Sequence, residues 1–338
     1  MPAPSLSDTQ PLAGGALRLP ALGFGAAAVG NLFAPISDAD AEAVIKAACD
    51  AGICYFDTAP HYGFGLSESR LGACLPAGAL VSTKVGRVLE PAPDAPRERH
   101  GFVDAAPFEP VFDYSYDGVM RSFEASLKRL GRDMVEVLLA HDLGRLTHGP
   151  EHGPRMREFL GGGLRAMQAL RDGGAVQAIG LGVNEWEICE EALAHADLDV
   201  ALLAGRYTLL EQTALDSFLP RCASRRVSVI VGGPFNSGVL VGGAHYDYAP
   251  APPEVMDRVR RLAAVCEANG VPLPAAALQF PVAHPQVASV IPGIADRRQL
   301  AQAVAWFSMP IPDRLWDDLR AEGLLRPDAP VPSARAAA

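Results

Sequence analysis

Short apolar runs alternate with amphipathic stretches along almost the whole chain. The apolar runs fall at 22–29 (LGFGAAAV), 53–58 (ICYFDT), 79–85 (ALVSTKV) and 135–141 (VEVLLAH) in the first half. In the second half they fall at 178–184 (AIGLGVN), 199–207 (DVALLAGRY), 227–234 (VSVIVGGP) and 288–293 (ASVIPG). Their length and flanking turn residues predict buried strands. Between them, apolar positions recur at helical spacing over 38–52, 67–75, 117–131, 163–174, 185–196, 215–225, 253–270 and 297–307, with one extra short helix in 272–285. Ser37 and Asp38 stand where an N-cap belongs, and Gly52, Gly131, Gly173 and Gly270 stand where helices stop. Eight strand-then-helix units without a break in composition predict an α/β chain folded as a single (β/α)8 TIM barrel over 19–325. An open doubly wound sheet is the rival, because strand runs alone do not show closure. Residues 1–18 read as an N-terminal extension and 326–338 as a flexible tail. Two connections, 86–116 and 142–160, are long and rich in Pro and Gly, as lids and specificity loops are.

Composition narrows the function. About half of the 338 residues are apolar, enough for a large core. Twenty-nine basic against 39 acidic residues give a net charge of −10, and no Lys/Arg run offsets it. That argues against a nucleic-acid or anionic-membrane surface and for a small-molecule partner. The six cysteines, at 49, 54, 74, 189, 222 and 266, form no C-x-x-C pair. Reduced thiols in the cytoplasm, with no metal site, are the expectation. The opening MPAPSLSDTQPLAGG lacks the pattern of a secretion signal, and no apolar stretch is long enough to span a bilayer. A monomer or a homodimer fits equally.

In a closed barrel the site lies at the carboxyl ends of the strands. Strand two ends in Asp57, with Tyr62 in the glycine-rich loop behind it; strand three carries Lys84, strand four ends in His141 and strand five in Asn184. Each has an ordinary structural role available: a turn cap, an ion pair, a loop anchor, a core histidine. For Asp57, Tyr62, Lys84 and His141, four such coincidences on three consecutive strands point instead to one rim. An ammonium beside a phenol lowers the phenol's pKa, a carboxylate keeps the ammonium charged, and a neutral imidazole holds the same oxygen. That set moves a proton at a carbonyl or alcohol and suits hydride transfer. His148 and His152 have i, i+4 spacing, but Gly149, Pro150 and Gly153 argue for a solvated loop rather than a metal-binding helix.

With LPALGFG, YFDTAPHYG followed by SESRLG, STKVG, RSFEASLKRLG, IGLGVN and SVIPG in order from Leu19 to about Phe307, the chain resembles the aldo-keto reductase superfamily. The resemblance implies a nicotinamide cofactor, Tyr62 as general acid/base tuned by Lys84 and Asp57, and His141 orienting the carbonyl. It implies that Asn184 holds the nicotinamide carboxamide. The loop 231–240 would cover the cofactor diphosphate, through Gly233, Pro234, Phe235, Asn236 and Gly238; Pro292, Gly293 and Gln299 would line the adenosine end. The chain departs from the family at Gly232, usually aromatic, at Ala204, usually glutamine, and at Gly293 and Gln299, commonly basic in NADP binders. The last two favour NAD over NADP, with Arg297 and Arg298 close by. The stretches DYSYDGVMRSFEASLKRLG, GVNEWEICE, LLAGRYTLLEQ and GGPFNSGVL resemble the sugar-dehydrogenase branch, of D-threo-aldose (L-fucose) 1-dehydrogenase type, with pyridoxal 4-dehydrogenases beside it. That implies oxidation of an aldose at C1 to the lactone, with His61, Trp186 and the 86–116 loop around the substrate. A general NADPH-dependent aldehyde or ketone reductase and a nicotinamide-binding regulatory subunit are the competing expectations.

Overall fold

In a computed structural model describing residues 4–13 and 15–332, the predicted strands form one eight-stranded parallel sheet. In chain order they are β1 (Phe24–Gly25), β2 (Tyr55–Asp57), β3 (Leu80–Val85), β4 (Val135–His141), β5 (Val176–Val183), β6 (Val200–Ala204), β7 (Ser228–Gly232) and β8 (Val287–Ile291). Single bridges from Leu22 to Val290 and from Gly25 to Gly293 join the first strand to the last. The sheet therefore closes as a barrel, and the open doubly wound alternative falls. β1 is much shorter than the apolar run 22–29 implies, because Ala28–Gly30 turns into a 3-10 helix.

Alternation along each strand separates two cores. Tyr55, Val137, Leu139, Ala178, Val200, Leu202, Ile230 and Ala288 pack inside the barrel with Leu12 and Leu19. The last two belong to a hairpin, Thr9–Pro11 against Arg18–Pro20, that lies below the strands. Residues of the opposite parity, such as Val81, Leu138, Ala140 and Leu181, join the helices in the outer core.

The register explains the rim. Asp57 lies level with Ser82, and Lys84 is two residues further up β3; Lys84 lies level with Leu139, and His141 is two further up β4; His141 lies level with Gly182, and Asn184 is two beyond that. Steps of two keep the inward parity while each strand climbs relative to the one before, which is the stagger a tilted closed barrel requires.

Both long connections carry structure of their own. The 86–116 loop contains an antiparallel ribbon, Arg87–Pro91 with Phe108–Phe112. The 142–160 segment forms helices at Arg145–His148 and His152–Glu158, joined by a 3-10 turn at Gly149–Glu151. The glycines and proline thus interrupt the helix without abolishing it. His152 is buried rather than solvated, between the Leu143 carbonyl and the Glu191 carboxylate, 3.0 Å from each. From Arg326 onward the chain packs as far as Val331, which lies against the core; Ala329 is buried and its carbonyl accepts from Arg320, and 333–338 lie outside the described residues. A helix at Asp313–Ala321 was not expected from the pattern; its Leu315, Trp316 and Leu319 are buried. No helix among the described residues is long and apolar enough to cross a membrane. The six cysteines are free thiols, and no cluster of metal-ligating side chains occurs among the described residues.

Candidate active site

The mouth of the barrel is built on a buried polar ladder. Tyr55 Oη lies 2.8 Å from Ser82 Oγ, Ser82 Oγ donates to Asp57 Oδ1 at 2.6 Å, and Lys84 Nζ donates to Asp57 Oδ2 at 2.7 Å. Lys84 Nζ also donates to the Thr58 carbonyl at 2.8 Å and lies 3.2 Å from Tyr62 Oη. With Asp57 and Lys84 nearly inaccessible, this is a desolvated ion pair whose oxygens and protons are all matched, the condition under which such a pair is tolerated. Tyr55 and Ser82 carry no signal in the sequence beyond their inward parity. Gly182 makes room for the ammonium stem: a Cβ there would come within 3.2 Å of Lys84 Cε.

The loop after β2 aims Tyr62 by a tight approach. Gly63 has φ +64°, and a Cβ on it would lie 2.3 Å from the Gly30 carbonyl oxygen, so only glycine fits. The SESRLG stretch fastens this loop from below. Ser67 Oγ donates to the Ala26 carbonyl, the buried Glu68 accepts from Thr83 and Arg129, and Arg70 donates to the carbonyls of Val29 and Ile36 and to Asp38. That motif is scaffold rather than chemistry.

His141 is buried and held neutral: burial pushes its pKa well below the usual value, and the Arg87 and Lys84 charges push the same way. Its Nδ1 has no hydrogen-bond partner, and its Nε2 lies 3.4 Å from Asp142 Oδ2. The direction for Tyr62 corrects the expectation. Although Lys84 is adjacent, burial raises the phenol well above 10, reinforced by Asp57 and Asp142 and opposed by Arg87. The ring is only partly buried, but the hydroxyl is deep and two carboxylates face it.

Two groups in the mouth were missed in the sequence. Arg87 Nη2 donates to Asp142 Oδ2 at 2.5 Å, and Arg87 Nη1 is 3.3 Å from His61 Nδ1. His61, nominated beside the substrate, sits in the mouth with its ring 5.9 Å from that of His141, and burial with the Arg87 charge lowers its pKa to about 2. Asn184 Nδ2 reaches Asp142 Oδ1 at 3.5 Å. Trp186 does not join them: it packs on the outer core, and its indole N–H approaches Thr213 Oγ1 at 3.4 Å.

A cleft of about 710 Å³ runs from Asp57 and Tyr62 across β7 to the first turn of the helix Arg297–Phe307. Of the nominated cofactor residues, Gly233, Pro234, Phe235, Gly238, Pro292, Gly293 and Gln299 line it. Asn236 does not; its buried amide donates to the Gly205 carbonyl and accepts from Thr208 Oγ1, bracing the loop. Gly232, where the resemblance implies that an aromatic ring is usual, lines the cleft against Leu202 and Ala204. Around Gly238 and Gly293 an added Cβ would meet nothing within 4 Å, an open backbone cradle of the kind a diphosphate needs. The cleft, with Tyr62 at one end, offers the length and the open backbone that a dinucleotide would need. Of the two arginines, Arg298 lines the cleft while Arg297 Nε turns to the Ala43 carbonyl. A strap closes the outer side: Tyr248 lines the cleft, its ring 6.5 Å from Phe33, and Arg206 pairs through both Nη atoms with Asp247.

Comparison with known proteins identifies the family and the fold. The model of the Aldo/keto reductase family matches residues 21–322. A pyridoxal 4-dehydrogenase of Microbacterium luteolum is 45% identical over 94% of this chain and 98% of its own. A D-threo-aldose 1-dehydrogenase of a Pseudomonas species is 41% identical over 95% and 99%. The structure of an aldo-keto reductase from Bacillus halodurans in its holo form superposes with a TM-score of 0.72 at 21% identity, over 94% of this chain and 96% of that one, and shares the barrel. The chain belongs to the aldo/keto reductase family, an oxidoreductase of aldehyde and alcohol groups that works with NAD(P).

Proposed function

We propose that the protein oxidises an aldose of the D-threo (L-fucose) type at C1 to the lactone, with NAD preferred. The observation that carries this reading is the set Asp57–Lys84–Tyr62 facing His141 at one end of the cleft. Tyr62 Oη takes the proton of the anomeric hydroxyl. Lys84, 3.2 Å away, stabilises the phenolate, and Asp57 keeps Lys84 charged and in place. The neutral His141 donates to or accepts from the reacting oxygen and orients it without adding charge. An oxidised nicotinamide, were it bound in the cleft, would supply the hydride acceptor for C1, and its positive charge would favour the phenolate form of Tyr62 against the upward push of burial. Neutral Gly293 and Gln299 at the far end support NAD; Gln299 Oε1 is already engaged by the Ala295 N–H.

Pyridoxal is the second reading, favoured by the 45% identity to a pyridoxal 4-dehydrogenase. The test is nicotinamide absorbance on mixing the protein with NAD+ or NADP+ and L-fucose, D-arabinose, L-galactose or pyridoxal. Reduction of NAD+ by a sugar supports the aldose reading, and reduction by pyridoxal alone moves it to the second. Silence across the panel, with NADPH consumed by simple aldehydes, sinks both.

A further inference from the structure

Arg87 and Asp142 stand in the mouth of the barrel and act on Tyr62 and His141 through their charges, without exchanging a proton in the transfer described above. Their side chains are largely buried, 11% and 14% exposed. The guanidinium lies over the Phe112 ring, 4.6 Å from its centre, and its Nε–H is buried without an acceptor. Asp142 follows His141 directly and adopts φ +50°, with its N–H donating to the Gly182 carbonyl at 2.9 Å. That left-handed backbone is uncommon outside glycine, though aspartate tolerates it better than most residues. It places the carboxylate beside the His141 imidazole. Oδ1 has only the long 3.5 Å contact with Asn184, so an acceptor position remains open.

A partly buried ion pair gains little stability over apolar residues of the same size, so stability alone is a weak reason for this one. Its placement supplies a second reason. His141 Nε2 and Asp142 Oδ2 are 3.4 Å apart. Oxygens on adjacent carbons of a sugar ring lie about a hydrogen-bond length apart. A substrate whose reacting oxygen meets His141 and Tyr62 has its neighbouring hydroxyl within reach of Asp142 and Arg87, where a carboxylate accepts and a guanidinium donates. We propose that the Arg87–Asp142 pair reads the hydroxyl on the carbon adjacent to the one oxidised, so that the substrate class is a cyclic hemiacetal carrying a vicinal hydroxyl. This rests on the aldose reading above.

The experiment compares kcat/KM with NAD+ for D-arabinose and for 2-deoxy-D-ribose, the same pentose without its 2-hydroxyl. Losing one hydrogen bond to a charged group should favour D-arabinose by about tenfold to a hundredfold. Arg87→Met and Asp142→Asn should each cost D-arabinose far more than 2-deoxy-D-ribose, bringing the ratio towards one. Equal use of both sugars by the unaltered enzyme overturns the inference and leaves the aldose reading standing, and that measurement needs no variant to fold. Variants that lower both sugars alike also overturn it, showing that the pair only positions His141. If neither sugar reduces NAD+ and L-fucose and L-galactose are inert as well, the aldose reading falls and this inference with it.

Discussion

Removing the ammonium of Lys84 tests the buried ladder in two ways at once. In Lys84→Met the Asp57 carboxylate, 3% exposed, loses the one counter-charge it has among the described residues and keeps one short hydrogen bond, from Ser82 Oγ at 2.6 Å. Breaking a buried pair on one side costs about 3–5 kcal/mol, because the stranded charge stays out of water. Adding Asp57→Asn removes that charge, and an amide can keep the Ser82 bond. The double variant should therefore recover more than half of the loss, to within about 2 kcal/mol of the parent. Urea unfolding followed by circular dichroism reads both effects from the midpoint and slope. Turnover should be lost in single and double variants alike, since neither retains an ammonium near Tyr62. Stability thus returns while activity does not. A single variant that loses less than about 1 kcal/mol, or a double variant no more stable than the single, would refute the account of the pair as a desolvated charge.

Tyr62→Phe should lower kcat by about 10²–10⁴ with unfolding unchanged, as loss of a general acid/base does; a drop below about tenfold removes Tyr62 from the chemistry. Because burial and two carboxylates raise the phenol, oxidation should speed up as pH rises through the alkaline range, and a profile flat from about pH 7 to about pH 10 contradicts that direction. Gly63→Ala sets a Cβ 2.3 Å from the Gly30 carbonyl oxygen and must shift the loop carrying Tyr62; kcat should fall about a hundredfold, as an ångström of misplacement can cost. His61 and His141 are buried neutral, with folded pKa values below the unfolded 6.5. The unfolded chain binds the extra protons, so stability should fall below about pH 6.5, by up to about 1.4 kcal/mol per pH unit for each; equal urea midpoints at about pH 7 and about pH 5 would contradict this. Arg298 is the arginine of the adjacent pair that lines the cleft; Arg298→Ala should raise KM for NADP+ more than for NAD+, and equal effects on both would exclude it from a 2′-phosphate contact.

The barrel was legible because it is written in local terms. Eight buried parallel strands need eight apolar runs, and eight covering helices need eight amphipathic ones, so the alternation shows at the level of a dozen residues. Closure was not legible, since it rests on pairings between residues as distant as Leu22 and Val290. Asp57, Lys84, His141 and Asn184 could be named from strand ends, because a charged or polar residue closing an apolar run stands out. What those residues meet was decided by the stagger of the closed sheet, which raises each strand two residues over its neighbour and brings Ser82 and Gly182 beside them. Arg87 and Asp142 look like ordinary loop charges in sequence; only the ribbon after β3 and the left-handed turn after β4 bring them together. The direction of the Tyr62 shift belonged wholly to the tertiary structure. Sequence can supply the neighbouring ammonium, but the depth of the hydroxyl and the second carboxylate facing it depend on how the chain folds around them.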